Sequence, residues 1–365
     1  MIPQAITLHQ ILTAGVQAPS AENKHYFWFE VGAQSVTLHA TDSASWSMRP
    51  DRKMLALMSF GAIVENVTLR ALALGFITHA SWRFDSSRVV ELSWQCATPI
   101  PDPLEKAIST RHTNRRFYQR SHVPSSVLEQ VGAAANLVPG ARVHWLASGR
   151  QRSLALSLIR IAETERFRRS GLHHEMFSAI RFERGWEGTV PEGLPPAALE
   201  VEIPMRWPFA SLRHWGLMRA ADVVGAHFAL GLRSGYLLCA AAPHLGVLMS
   251  NAADVDAAHL QTGRAFERLW LAAECNGLAL QPMAAATVLV QQISGPNWVS
   301  GATQKRLLEG LQALSAELDA DAPSVRPCML FRLGHASAAT VVAGRPPLEQ
   351  FLKMPPSSSL SRAPP

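Results

Sequence analysis

Hydrophobic and polar positions along the chain alternate between two periods, and the switches between them predict its elements. Residues 6–17 repeat at helical spacing and stop before Pro19, which predicts a short helix. Two apolar runs, YFWFEV (26–31) and SVTLHA (35–40), flank Gly32, Ala33 and Gln34 and predict a hairpin. From Lys53 to Leu74 the chain reads KMLALMSFGAIVENVTLRALAL and ends at Gly75. Its apolar positions run almost all the way round a helix, so this helix is expected to be buried. A strand is expected at RVVELSW (88–94), after which TPIPDP (98–103) breaks the pattern. Beyond the break come a short helix (104–111), a helix starting near Pro124 and a strand at RVHWLA (142–147). One or two arginine-rich helices fill 150–184. Residues 185–216 are rich in Gly, Pro and Trp and carry no period; an excursion that long is either a functional lid or disordered. Helical spacing resumes over 217–241, 257–276 and 302–318, and a last strand, PCMLFRLG (327–334), leads to GRPPLEQFL (344–352). The ending MPPSSSLSRAPP is expected to be disordered.

This order predicts a mixed α+β protein in two unequal halves. The break sets them at 1–97 and 98–354, with a lid-like insertion at about 163–216 and a tail at 355–365. At 48% hydrophobic and 17% charged residues the 365-residue chain reads as globular. A net charge of +6 permits a polyanionic partner, but only five of the 34 cationic residues are lysines and the arginines are scattered. No nucleic-acid partner is expected. Cys96, Cys239, Cys275 and Cys328 form no CxxC pair, so neither a disulfide framework nor a zinc site of ordinary spacing is expected, and a cytoplasmic setting follows. The first twenty residues show no basic region before their apolar stretch. The best apolar run, YLLCAAAPHLGVLM (236–249), is short and broken by Pro243, so no membrane partner is expected.

Four stretches can carry chemistry. In RHTNRRF (111–117), Arg111, Thr113 and Arg115 alternate, so an extended segment would put two guanidiniums and a hydroxyl on one face, ready to fork around a phosphate. The same residues could equally form a solvated basic loop. In APSAENKHYFWF (18–29), Ser20 and Asn23 either contact a flat heterocycle or serve as turn and capping residues. GRAFERLWLAAECNGLALQP (263–282) is a packing helix ended by Gly277, with Leu278 in the turn after it. In GRPPLEQ (344–350) a rigid loop could aim Arg345 at an anion, or leave it as an ordinary surface arginine. Other constellations are weaker. His173, His174 and Glu175 lack the i, i+4 histidine spacing of a helical zinc site, so no metal is expected. Glu65 and Asn66 read as a satisfied core pair. GxSxG, Walker and GxGxxG motifs are missing.

Taken in order, the four stretches resemble the nitroreductase-like flavoprotein family, and within it the Acg-type branch, which carries two nitroreductase-like halves in one chain. The resemblance runs from about residue 8 to 352. ISTRHTNRRFYQRSHVP is similar to that family's arginine-rich phosphate motif, and APSAENKHYFWF to its proline-serine-asparagine corner. AAECNGLALQP is similar to its glycine-leucine turn, and FRLGHA with GRPPLEQFL to its C-terminal strand and arginine. The resemblance implies mostly antiparallel sheets flanked by helices, and two tandem halves that form an intramolecular pseudo-dimer. It implies one FMN per chain at the seam, with the phosphate held by Arg111, Thr113, Arg115 and Arg345, and with Arg116 replacing Arg115 if the register slips. Ser20 and Asn23 would approach the flavin from the other half, Lys24 or His25 could reach its pyrimidine edge, and the N–H groups of Gly277 and Leu278 would lie near its N5 and O4. The family corner commonly continues with glutamine, proline and tryptophan, where this chain has Lys24, His25 and Tyr26. The implied activity is an FMN-dependent oxidoreductase that takes hydride from NAD(P)H or an organic donor. The acceptor would be a nitroaromatic, quinone or enone, or the enzyme would dehydrogenate a metabolite or modified peptide. The flavin performs the chemistry, so no side chain is assigned as catalytic. A monomer or loose homodimer is expected, because the duplication supplies both halves of the site. If the 163–216 excursion closes over the flavin, Trp186, Met205, Trp207 or Phe209 would occupy the substrate space, and the alternative is a protein that stores FMN without turnover.

Overall fold

The computed structural model describes residues 2–85, 87–318 and 325–353; the expected tail lies outside them. The helices are α1 (Ala5–Val16), α2 (Pro50–Ala73), α3 (Ser125–Asn136), α4 (Gly149–Arg168), α5 (Ser170–Ser178) and α6 (Arg206–Ser211). They continue with α7 (Trp215–Asp222), α8 (Ala226–Gly231), α9 (Leu237–Ala240), α10 (Val255–Cys275), α11 (Ala285–Gln291) and α12 (Gly301–Leu318). The strands are β1 (Phe27–Val31), β2 (Val36–Ala40), β3 (Phe76–Asp85), β4 (Arg88–Cys96) and β5 (Ala141–Trp145), then β6 (His244–Ser250), β7 (Ala279–Pro282), β8 (Arg326–Gly334) and β9 (Leu352–Lys353).

Two sheets form, in the orders β3-β4-β2-β1-β9 and β5-β6-β8-β7. Every pairing is antiparallel except β1 with β9, so the end of the chain returns to the sheet made by its beginning. The expected α+β class with mostly antiparallel sheets matches this arrangement. β4 ends at Cys96, and residues 97–102 carry no regular structure.

α2 and α10 cross at the centre. A Cβ on Gly61 would lie 2.1 Å from the Leu260 carbonyl oxygen, and one on Gly263 would lie 1.9 Å from that of Met58. Only glycine at both positions permits this approach. Near the crossing, Glu65 accepts from Arg264 at 2.9 Å and from Arg268 at 2.8 Å, and Arg268 also reaches Asp102. The expected core pair at Glu65 and Asn66 is therefore partly an inter-helix ion network. α2 starts with Pro50 and stops at Gly75, whose φ is +84°. α10 is capped by Asp254, which accepts from the Ala257 N–H at 2.7 Å. α2 is long and apolar enough to cross a membrane, but 67% of its apolar window is packed inside the protein.

Three differences from the expected elements have local causes. β3 is an edge strand with mostly exposed side chains, so no buried face marks it in the sequence. β6 is buried on both faces, and a continuous apolar run of that kind has no period to separate it from helix. The single helix expected over 217–241 breaks at Gly225 (φ +81°) and again at a π turn over Leu232–Tyr236. Gly231 and Gly235 bring this stretch so close to α4 that a Cβ on either would sit 2.6 Å from Thr164 or Glu163.

Candidate functional site

Residues from both ends of the chain wall one cavity of about 670 Å³, within the usual range of roughly 300–1,000 Å³ for small-molecule and cofactor sites. Ser20, Asn23, Arg111, Thr113, Arg115 and Arg345 all face it. Their side chains come from the corner after α1, the segment before Tyr118 and the loop before β9.

The front corner turns sharply because Glu22 and Asn23 both adopt left-handed backbone (φ 57° and 56°). Asn23 is buried, and its amide Nδ2 donates to the carbonyls of Pro191, Gly193 and Gly344 at 3.1–3.2 Å. Its Oδ1 accepts from Arg345. Asn23 is thus a knot tying the corner to the irregular segment and to the C-terminal loop, with no donor left for a ring. Ser20 is free for that role: its Oγ is buried, faces the cavity and has no hydrogen-bond partner.

The arginine segment is held from beneath by Arg332, fully buried on β8. Its guanidinium donates to Gln281 Oε1 and to the Arg116 carbonyl at 2.8 Å each, and lies 3.8 Å over the Tyr118 ring. Asn114 fastens the segment by donating to the carbonyls of Leu280 (from its N–H) and Ser337 (from Nδ2). Arg111 and Arg115 are thereby turned into the cavity, while Arg116 points outward to Thr340 and Glu200. The register slip that would bring Arg116 to the site does not occur.

Arg111 and Arg345 form one pole of the cavity. Arg111 donates to the Gln17 carbonyl at 2.8 Å and stacks 4.6 Å over Trp270. Its Nε lies 3.2 Å from Oε1 of the fully buried Glu267, an ion-pair distance without the alignment of a hydrogen bond. Burial raises the Glu267 carboxyl above its ordinary range, opposed by the Arg111 charge. Burial, reinforced by the Arg111 charge, pushes the Arg345 guanidinium down to about 9, and its Nε has no partner. Two buried guanidiniums against a single carboxylate leave this pole positive, whatever the state of Glu267.

At the other pole Arg115 donates to the Ala198 carbonyl at 3.2 Å. Desolvation and then the Arg166 charge push it down to about 10. Arg166 pairs with Glu163 at 3.1 Å, and Glu175 pairs with both Arg49 and Arg52. The wall between the poles is largely apolar and includes Phe167, Met176, Leu199, Leu230 and Phe266.

Several expected positions lie elsewhere. Gly277 and Leu278 do not line the cavity: the Gly277 N–H donates to Glu274 and that of Leu278 to Ala273, closing the end of α10, so neither is free for a ligand. Leu278 itself is core. Lys24 pairs with Glu22 at 3.1 Å, beside a separate recess of about 30 Å³. His25 packs on Phe27 and Phe351, outside the cavity. Of the lid candidates, Met205 and Phe209 line the cavity, whereas Trp207 is 80% exposed and Trp186 sits beneath Arg206. His173 bonds to the Leu212 carbonyl, and among the described residues no cluster of His, Cys, Asp or Glu could hold a metal. Sequence reasoning passed over Glu267 and Trp270. The available signal was a carboxylate on the apolar stripe of α10, in step with Gly263, Phe266 and Trp270.

No family model matches the chain. The uncharacterized protein MT1398 of Mycobacterium tuberculosis (strain CDC 1551 / Oshkosh) is 24% identical over an alignment of 347 residues that covers 92% of this chain and 46% of that protein. The chain thus spans about half the length of this curated relative. Among solved structures, similarity extends to a nitroreductase with bound FMN from Desulfitobacterium hafniense DCB-2 (15% identity, 68% of this chain and 95% of that one, TM-score 0.34). It extends also to the FMN-dependent nitroreductase NfnB from Mycobacterium smegmatis in complex with NADPH (17%, 71% and 98%, TM-score 0.35). A third is the NADPH:FMN oxidoreductase from Vibrio harveyi complexed with NAD+ (10%, 67% and 73%, TM-score 0.33). Superpositions at that level leave any functional reading to rest on the cavity's own residues.

Proposed function

We propose that this chain is an FMN-dependent oxidoreductase of the nitroreductase-like type, close to the Acg branch, with one flavin site at the seam of two tandem halves. One observation carries the reading. Arg111 and Arg345, more than two hundred positions apart, converge on one cavity as buried guanidiniums that outnumber the carboxylate beside them. Paired guanidiniums suit an anion with several oxygens, and a phosphate, which can carry two negative charges, matches two of them. The unpartnered Ser20 Oγ and Arg345 Nε are the vacant hydrogen-bonding groups a polar ligand would satisfy.

On this reading Arg111, Arg345 and the Thr113 hydroxyl hold the phosphate, and Ser20 meets the ring system from the front corner. Arg115 supplies positive charge at the other pole. Glu267 limits the pole's charge and holds Arg111 over Trp270 in position. The flavin, when bound, supplies the hydride-accepting centre, with NAD(P)H or an organic substrate as donor. Phe167, Met176, Leu199 and Phe209 keep water from the apolar wall, which favours hydride transfer over side reactions. An aromatic nitro compound, quinone or enone would fit beside that wall. The two halves in one chain supply both sides of the site, which is consistent with a monomer.

A second reading, FMN storage without turnover, is favoured by the Asn23 knot, which ties residues 191–193 over the corner while Met205 and Phe209 stand in the cavity. Absorbance of the purified protein, followed by anaerobic addition of NADH or NADPH, tests both. A flavin band bleached by nicotinamide and restored by an acceptor supports the oxidoreductase. Bound flavin that neither nicotinamide reduces supports storage. Protein that binds no FMN when incubated with excess cofactor refutes both.

A further inference from the structure

Eight of the twenty large apolar side chains exposed among the described residues fall between positions 203 and 237. Ile203 is 75% exposed, Trp207 80%, and Val223 and Val224 88% each. Val223 and Val224 form the tip between α7 and α8, where Gly225 turns the chain with a φ of +81°. Leu217 and Ala220 stand outward three residues apart on α7, and Met218 turns inward. Exposed apolar side chains concentrated in one stretch of chain in this way point to an interaction segment.

Its charge selects the partner. Positions 203–237 hold four arginines and one acid. Asp222 is paired with His227 and Arg233 with the adjacent Glu202, which leaves Arg206, Arg213 and Arg219 as the stretch's cations without an acidic partner. Arg213 and Arg219 are exposed beside the apolar positions. Two copies of this chain meeting through a two-fold axis would set the stretch against itself, positive charge facing positive charge. An anionic surface is complementary instead. We propose that the α6–α8 face seats on an anionic lipid bilayer, Trp207 and the Val223–Val224 tip entering the headgroup region while Arg213 and Arg219 meet lipid phosphates. Apolar tips flanked by arginines bind the interface this way without spanning it. The same stretch lends Met205, Phe209 and Leu230 to the cavity wall.

Co-sedimentation of the full chain with phosphatidylcholine vesicles, with and without phosphatidylglycerol, tests the proposal without reference to flavin. Binding is expected only to the phosphatidylglycerol vesicles and is expected to fall as salt rises. Val223→Asp with Val224→Asp should reduce it to the level of neutral vesicles. Arg213→Glu with Arg219→Glu should weaken it at least about tenfold. All four side chains are exposed, so thermal melts of the variants should match the parent. If the valine variant fails to fold, the arginine variant decides the matter. Sedimentation without phosphatidylglycerol vesicles, or binding that survives both variants, overturns the proposal. So does a dimer, detected by ultracentrifugation, that dissolves in the valine variant while the parent ignores vesicles.

Discussion

Arg345 offers the cleanest cut into the positive pole. Its guanidinium donates to Asn23 Oδ1 and to the Gly344 carbonyl, and its Nε is unpartnered. Arg345→Met keeps the apolar stem and removes the charge and the donors. If the residue holds a phosphate, the loss is one charge-assisted interaction, about 1.5–3 kcal/mol. At about 1.4 kcal/mol per decade, FMN should bind roughly 10- to 150-fold more weakly. The protein without flavin should melt almost where the parent does. Leaving Asn23 Oδ1 unsatisfied costs about 1–3 kcal/mol, and relieving a buried cation whose protonated form burial already disfavours offsets much of that. Arg111→Ala is a poorer probe, because it strands the buried Glu267 without its counter-charge, at roughly 3–5 kcal/mol. FMN and riboflavin titrations of flavin-free protein, alongside melts, separate the effects. Riboflavin lacks the phosphate, so its affinity should not change. An FMN affinity within about threefold of the parent, or equal losses for both ligands, would refute the phosphate assignment, since a lost charge-assisted contact must exceed that.

Two further outcomes follow from the packing. Gly263→Ala places a Cβ 1.9 Å from the Met58 carbonyl oxygen and must push α2 and α10 apart. It should cost about 3 kcal/mol or more, read as a drop of roughly 6 °C or more in Tm; an unchanged Tm would contradict the close crossing. His25 is held neutral, its imidazole lowered to about 4 first by burial and then by the Arg345 charge, and His259 is lowered to about 4 with burial as the largest cause. Between pH 4 and 6.5 the unfolded chain therefore binds more protons, so this stability is full above pH 6.5 and is lost as pH falls towards 4, by up to roughly 3 kcal/mol per histidine. Urea midpoints at pH 7.5 and 5 should differ, and His25→Phe should reduce the difference without abolishing it, because burial also lowers His39, His173, His244 and His259. Equal slopes in parent and variant would place the acid sensitivity elsewhere.

The long helices, the first hairpin and the last strand are legible in the sequence because each has one face, or none, towards water, and the periods of 3.6 and 2 report that directly. β3, β6 and β7 are not: the first is an exposed edge, the second is buried on both faces, and the third spans only Ala279–Pro282. The expectation for Gly277 and Leu278 identified the turn but not the use of its amides, which the end of α10 consumes.

Local pattern alone determined that this chain makes an α+β protein with buried helices and arginines concentrated at 111–116. Which arginines face inward was decided by the tertiary structure, through Arg332 and Asn114 gripping the segment from below. Nor could any window of sequence reveal that Arg345 meets Asn23, or that Glu267 stands against Arg111. Periodicity records how each element faces its immediate surroundings. The charge balance of a cavity depends on which distant elements share it, and here the α2–α10 crossing and the return of β9 to the first sheet bring them together.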